Sequence, residues 1–245
     1  MQTAPAATNS EQALLERYTA GTLSADFVQL GGEAQAFLAR YLAPLRRPLG
    51  PAVLFVPGYG SIIATDPMVE AMLRAFAQAG SAVLVPQLPP AAATATLADH
   101  AALAQAALTR VQAALTHLHA QGARVVVVVG ADEGAALAAR CVADTGGRGL
   151  AGFAALGTWD GSLPAIALPV LEVVPAHEPV AMRLAAARRM AAVAVGRGHY
   201  QLHQVVGAGR RYPAYADDVA GHVRGWVTRH ARAGPVQAGP GMAGR

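Results

Sequence analysis

Short apolar segments alternate with longer amphipathic segments from residue 51 onward. Each apolar segment is continuous, as expected of strands that are covered on both faces of a parallel sheet. The amphipathic segments repeat apolar residues at intervals of three and four, which predicts helices. The pattern therefore predicts an α/β protein with a mostly parallel central sheet and helices on both faces. The six strands predicted in this region are residues 52–57, 82–88, 124–130, 149–157, 169–175 and 191–196.

The chain before residue 51 has a different pattern. Segments 26–30 and 34–44 flank Gly31-Gly32 and predict an antiparallel hairpin. Ser10 predicts the start of a short helix that ends at Gly21. The other predicted helices are residues 66–79, 97–121, 133–144, 179–190 and 214–232. We expect a single domain of residues 10–232, with flexible tails at residues 1–9 and 233–245.

Composition and charge argue against a nucleic-acid partner, a membrane span and an internal disulfide. All 19 basic residues are arginine, the net charge is only +4, and the arginines are scattered without interleaved aromatic residues, so a nucleic-acid surface is not predicted. No apolar segment is long enough to span a bilayer. Cys141 is the single cysteine, which excludes an internal disulfide. The opening MQTAPAATNS resembles the polar start of a mature exported protein, which favours a periplasmic location over a cytoplasmic one.

The candidate chemistry lies at the end of the valine-rich strand 124–130. Gly130, Asp132 and Gly134 have the spacing of a tight strand-to-helix turn, G-x-nucleophile-x-G, in which the central residue has a strained backbone. The residues two positions away on either side pack so closely that only glycine fits. Asp132 is therefore a candidate nucleophile, because an aspartate is ionised near neutral pH and attacks without a base.

A resemblance rests on this turn and its surroundings. The segments LGPAVLFVPGYGS, LRAFAQAGSAVLVPQLP and VVVVVGADEGAALAARCV, with the preceding hairpin, resemble the α/β-hydrolase-fold superfamily. Within that superfamily they are similar to a bacterial family of α/β-hydrolase-like proteins of unknown function, whose members are often exported and often lack a standard nucleophile. The resemblance covers residues 26–226 and implies an α/β-hydrolase fold.

The resemblance also implies roles for four further residues. The backbone N–H groups of Tyr59 and Glu133 fall at the positions that form the oxyanion hole. Glu178 falls at the acid position, and His199 falls at the position of the histidine that activates water. We expect these residues to meet Asp132 at the edge formed by the carboxyl ends of the strands, where open α/β sheets bind ligands.

The sequence departs from active members at Asp132, which replaces the usual serine. Aspartate nucleophiles occur in haloalkane dehalogenases and epoxide hydrolases, which this sequence resembles at this residue. Those enzymes carry a helical cap after the sixth strand, whereas only residues 158–168 join the corresponding strands here. The sequence therefore predicts no cap domain.

Each candidate residue also has a structural interpretation. Asp132 is a good helix N-cap, and Glu133 would oppose the negative charge that develops in an oxyanion hole. Glu178 precedes Pro179, and the sequence supports its role as the cap of the following helix as well as it supports its role as the acid. His199 lies in a loop, where solvent-exposed histidines are common. Two classes of function therefore stay open: an uncapped hydrolase of ester-like small substrates, and a catalytically silent domain that binds a ligand or a protein partner.

Cofactor sites are weakly indicated. His199 and His203 have a spacing that suits zinc on a helix, with His177 as a third candidate, but Gly198 and the loop setting argue against a helix there. The segment GYGSII lacks the third glycine of a dinucleotide fingerprint. We therefore predict no metal and no cofactor, and the sequence identifies neither a protein partner nor an oligomeric state.

Overall fold

The computed structural model of the protein describes residues 6–32, 35–44, 50–92, 94–158, 163–209 and 211–230. Eight strands form one sheet: β1 (Phe27–Leu30), β2 (Phe37–Leu42), β3 (Ala52–Val56), β4 (Val83–Pro86), β5 (Val126–Ala131), β6 (Leu150–Leu156), β7 (Val170–Pro175) and β8 (Tyr200–Val205). Their order across the sheet is β1-β2-β4-β3-β5-β6-β7-β8. The pairs β1–β2 and β2–β4 are antiparallel, and all the other pairs are parallel.

Within the described residues, six α-helices accompany the sheet: α1 (Ala6–Thr19), α2 (Pro67–Gln78), α3 (Leu97–Ala120), α4 (Glu133–Thr145), α5 (Pro179–Ala194) and α6 (Ala216–His230). The fold class predicted from the sequence, including the N-terminal hairpin, is confirmed. The described part of the link from β6 to β7 contains only a 3₁₀ turn at Leu163–Ala165, and no cap domain is present among the described residues. No described helix combines the length and the apolar character needed to cross a bilayer.

Strand residues alternate between two cores, because successive side chains point to opposite faces of the sheet. Leu54 and Val128 belong to the core beneath α3 and α4, whereas Phe55 and Val129 belong to the core beneath α2 and α6. Both faces are thus fully covered, which explains why β3 and β5 are continuously apolar in sequence.

The start of the first helix differs from the sequence prediction. Helix α1 begins at Ala6, within the predicted tail, so Ser10 lies inside the helix and does not begin it. The predicted tail at residues 233–245 lies outside the described residues.

The last predicted strand, residues 191–196, is wrong. These residues complete α5, which continues to Ala194 and closes at Gly196, whose φ is 73°. The alanine and arginine residues before this segment favour a helix strongly, and this preference extends through the two valines. The true last strand is β8, which begins at Tyr200.

The single cysteine is inaccessible in the folded protein. Cys141 lies in α4 and is fully buried. Burial, with a smaller contribution from Asp144, raises the pKa of its thiol to about 11. Because the thiolate is the nucleophile, we expect an aromatic disulfide reagent near pH 8 to leave the native protein unmodified and to label one thiol in denaturant. Rapid labelling of the native protein would contradict this placement.

Candidate functional site

Asp132 forms a sharp turn between strand and helix. It is the single residue between β5 and α4, and its backbone angles are φ 49° and ψ −122°. Side chains with a Cβ atom rarely adopt this region, and residues held there cluster at functional sites. The Asp132 N–H donates to the Leu156 carbonyl at 2.9 Å, which fixes the turn against β6.

The two glycines of the motif are required by close backbone packing. A Cβ added to Gly134 would lie 2.2 Å from the Pro57 carbonyl oxygen, and one added to Gly130 would lie 2.4 Å from the Ala135 Cα. Only glycine fits at either position, as the G-x-x-x-G spacing predicted.

The Asp132 side chain does not cap α4. It makes no capping hydrogen bond to the first turn of the helix. Its Oδ2 instead lies 3.3 Å from the Arg211 Nε, in an ion pair between a buried carboxylate and a guanidinium that is 55% exposed. The interpretation of Asp132 as a helix cap is therefore wrong for its side chain.

Arg211 and Tyr212 belong to the loop between β8 and α6. Both have left-handed backbones, with φ of 66° and 53°. Among the described residues other than glycine, Asp132 alone shares this conformation, so the strained backbone is concentrated at one place. The Tyr212 hydroxyl donates to the Val173 carbonyl at 2.8 Å. Burial and the nearby carboxylates of Asp132 and Glu172 raise the pKa of Tyr212, which keeps this phenol neutral.

The loop after β3 packs against the same turn. A Cβ added to Gly58 would lie 2.9 Å from the Glu133 Oε2 and 3.2 Å from the Asp132 Cβ. The next residue, Tyr59, is buried, and its ring centroid lies 4.9 Å from that of His100. Burial and the charge of Glu133 raise the pKa of Tyr59. The oxyanion-hole role of the Tyr59 and Glu133 N–H groups stays a prediction.

Glu178 lies at the same edge of the sheet. It lies three residues after the end of β7 and immediately before α5, and it is half-buried. It makes no capping hydrogen bond to that helix. Because β3, β5 and β7 are parallel, Tyr59, Asp132 and Glu178 all follow carboxyl ends of strands and share one edge.

His199 lies at the opposite edge of the sheet, and the prediction that it meets Asp132 is wrong. Its carbonyl accepts from the Val170 N–H at the start of β7, and Tyr200 after it begins β8. It therefore stands at the amino ends of two parallel strands and is exposed, while Asp132 follows the carboxyl end of β5. The error follows from the misplaced last strand, which shifted the expected histidine loop by one element.

The loop that does follow the last strand is residues 206–215, VGAGRRYPAY, which contains no histidine. It contributes Arg211 and Tyr212 to the edge where a histidine was expected. The alternation of YQLHQV was the available signal, since it marks the strand that this loop follows.

A buried polar network was also missed by sequence reasoning. Glu172 in β7 is fully buried and accepts hydrogen bonds from Arg188 of α5 and from the Tyr200 hydroxyl of β8. Arg188 also donates to the Thr158 carbonyl at 3.3 Å, just after β6. Burial and the Glu172 charge raise the pKa of Tyr200. The network joins α5 to β7, to the start of β8 and to the segment after β6.

Histidine, cysteine and acidic side chains form no group of three or more suited to a metal ion among the described residues. In particular, His177 and His199 lie at opposite edges of the sheet, after β7 and before β8.

Comparison with solved structures agrees with this topology. The model superposes on Est1E from Butyrivibrio proteoclasticus with a TM-score of 0.68 at 12% identity, over 84% of this chain and 99% of that one. It superposes on a dienelactone hydrolase from Anabaena variabilis with a TM-score of 0.67 at 17% identity, over 84% and 97% of the two chains. The fold is that of the α/β-hydrolases.

A third similar structure is that of a protein described as having no lid. XC6422 from Xanthomonas campestris, an α/β serine hydrolase without lid, matches with a TM-score of 0.65 at 15% identity, over 87% of this chain and 99% of that one. No protein-family model matches the sequence, and no curated protein is similar to it in sequence. At these identities the likeness shows the fold, so the chemistry must be argued from this chain's own residues.

Proposed function

We propose that this protein is a catalytically silent α/β-hydrolase-fold domain that binds a small polar ligand at the turn around Asp132. The contact between Arg211 and Asp132 carries this proposal. Hydrolysis through an aspartyl ester needs a group that removes a proton from water. A guanidinium stays protonated and cannot do this, and the loop that holds it has no histidine.

The electrostatics of the turn also disfavour attack by Asp132. A carboxylate paired with a guanidinium has part of its charge neutralised, which weakens it as a nucleophile. Glu133 places a second negative charge beside the predicted oxyanion hole, where the reaction must develop one. Both features suit binding better than acyl transfer.

Backbone strain supports a retained binding role. Left-handed backbone at Asp132, Arg211 and Tyr212 costs on the order of 1 to 3 kcal/mol for each residue and persists only where surrounding structure enforces it. A turn kept only to join a strand to a helix needs no such cost.

Replacing Asp132 with Asn tests the silent function. An amide cannot act as the carboxylate nucleophile, so this change abolishes any turnover through Asp132. We expect wild-type protein and Asp132→Asn to hydrolyse a panel of p-nitrophenyl esters at the same rate, equal to the background rate. Turnover by the wild type that is lost in Asp132→Asn would refute the silent function, with mass spectrometry used to exclude deamidation back to aspartate.

Binding is tested separately by thermal shift with a panel of amines, carboxylates, polyols and phosphates. A ligand present at about 100 times its Kd adds about 2.7 kcal/mol of stability, which raises the Tm measurably. We expect at least one class to shift the wild type, with a smaller shift in Asp132→Asn and an altered one in Arg211→Gln. Equal shifts in all three proteins would place the ligand elsewhere.

An uncapped hydrolase is the second candidate, because the strained backbone of Asp132 is that of a displayed nucleophile. The predicted trio of Asp132, His199 and Glu178 cannot then act together, because His199 lies at the opposite edge of the sheet. Another group must activate water. His100 is a candidate, because its ring packs beside that of Tyr59 in the loop after β3. Loss of turnover in His100→Gln would support this candidate.

A further inference from the structure

A stacked pair of histidines joins the two elements that flank the Arg211 loop. His203 lies near the end of β8, and His222 lies in α6. Their ring centroids are 3.5 Å apart and their planes differ by 13°. Residues 206–215 run between these elements, so the pair closes the base of the loop that carries Arg211 to Asp132.

The surroundings of the pair hold few compensating charges. On α6, Arg229 acts on His222 and disfavours its protonation. The next contact along the same surface joins the Gln201 Nε2 to the His230 Nε2 at 3.0 Å, and His230 in turn stacks on Trp226. On β7, the residue in register with His203 is Val173, which is uncharged.

Two acidic residues, Asp217 and Asp218, lie in the first turn of α6. Asp217 pairs with Arg74 of α2, and Asp218 is exposed one turn before His222. Neither side chain contributes to the pKa shift of His222, which has burial, His203 and Arg229 as its causes. A proton on His222 is therefore opposed by burial, His203 and Arg229, and a proton on His203 is opposed by burial.

The direction of the titration follows from this geometry. Burial lowers the pKa of His203, and burial, His203 and Arg229 together lower the pKa of His222, so both rings are neutral in the folded protein at neutral pH. The unfolded chain, whose histidines titrate near 6.5, takes up protons first as the pH falls. The stability associated with the pair is thus fully present above about pH 6.5 and is lost as the pH falls below it.

We propose that the stacked His203–His222 pair is an acid-released latch, which holds the loop of residues 206–215, and with it Arg211, against Asp132. Protonation of one ring places a positive charge against the stacked second ring and, when that ring is His222, near Arg229, and separates β8 from α6 at the base of the loop. The loop then loses the contact that joins the two elements flanking it. The latch does not depend on whether the turn at Asp132 binds a ligand or hydrolyses one.

The latch is tested by the pH dependence of the Tm in the full chain. Between about pH 7.5 and about pH 5, we expect the wild type to lose a few degrees more than the double variant His203→Gln/His222→Gln. His199→Gln is the matched control, because it removes an exposed imidazole from the residue before the same strand. It should keep the wild-type dependence, and equal losses in the double variant and the wild type would overturn the proposal.

Two measurements locate the effect without relying on the folding of a variant. A histidine NMR titration of the wild type should give pKa values below about 6.5 for both rings. Hydrogen exchange, corrected for its intrinsic pH dependence, should rise several-fold at residues 206–215 on acidification, ahead of β3 and β5. Values at or above 6.5, or a uniform rise across the sheet, would also overturn the proposal.

Discussion

Replacing Glu172 with Gln should lower the free energy of unfolding by about 3 to 5 kcal/mol, because Arg188 would be left as an uncompensated buried charge. Glu172 is fully buried and Arg188 is only 6% exposed, so water cannot replace the lost partner. For a chain of this length the change corresponds to a fall in Tm of roughly 6 to 20 °C. Thermal and urea unfolding monitored by circular dichroism would measure both quantities.

Removing the whole network distinguishes the contribution of its charges to stability from the contribution of its packing. In Glu172→Leu/Arg188→Met/Tyr200→Phe both buried charges and the phenol that bonds to them are removed together, and such replacements are often neutral or stabilising. We expect this triple variant to be more stable than Glu172→Gln. The opposite order would mean that the network contributes net stability through its hydrogen bonds.

An exposed ion pair provides the control for Glu172→Gln. Arg74 and Asp217 join α2 to α6, with side chains that are 48% and 75% exposed. Exposed pairs of this kind contribute at most about 1 kcal/mol, so Asp217→Asn should hardly change the Tm. If Glu172→Gln costs no more than Asp217→Asn, the buried network is not a stabilising element of the fold.

Local patterns predicted most of the sheet. Strands β3 and β5 are continuously apolar because both of their faces are covered, and a pattern of this kind survives in any tertiary context. The turn at Asp132 was predictable for a similar reason. Gly130 and Gly134 are required by steric contacts within one strand-turn-helix unit and its neighbouring strand. Such features depend on few contacts between residues that are distant in sequence.

The composition of the site depends on contacts that no local pattern records. The pairing of Glu172 with Arg188 requires α5 to cross β7 at one register, and neither residue is marked in sequence as a buried one. Arg211 and Tyr212 have left-handed backbones although neither is glycine or asparagine, the residues that favour this conformation. Their conformation therefore could not be predicted from residue type.

A single wrong element then moved the expected histidine to the wrong edge. The segment 191–196 has the apolar content of a strand and the alanine content of a helix, and the helix prevails because it continues α5. Correcting this one element exchanges His199 for Arg211 as the neighbour of Asp132. It is therefore the reason that we propose ligand binding, and not hydrolysis, at this site.

Replacing Gly134 with Ala should have the largest effect of any single methyl group added to this protein. The new Cβ would lie 2.2 Å from the Pro57 carbonyl oxygen and 2.3 Å from that of Val56, and these atoms belong to the end of the central strand β3. Backbone in a central strand cannot shift without breaking its pairing with β4 and β5. We expect a loss of more than about 4 kcal/mol, seen as a large fall in Tm or as failure to accumulate soluble protein.

A graded series makes this expectation decisive even if Gly134→Ala does not fold. At Gly221 in α6 an added Cβ meets nothing within 4 Å, so Gly221→Ala should stabilise the protein by about 0.5 to 1 kcal/mol through helix propensity. At Gly58 the nearest atom, at 2.9 Å, is the end of the flexible Glu133 side chain, which can move aside at a modest cost. The Tm values should therefore rank Gly221→Ala above wild type, wild type above Gly58→Ala, and Gly58→Ala above Gly134→Ala. If Gly134→Ala were as stable as Gly58→Ala, the turn would not be held against the backbone of β3, and the placement of Asp132 beside the loop after that strand would be wrong.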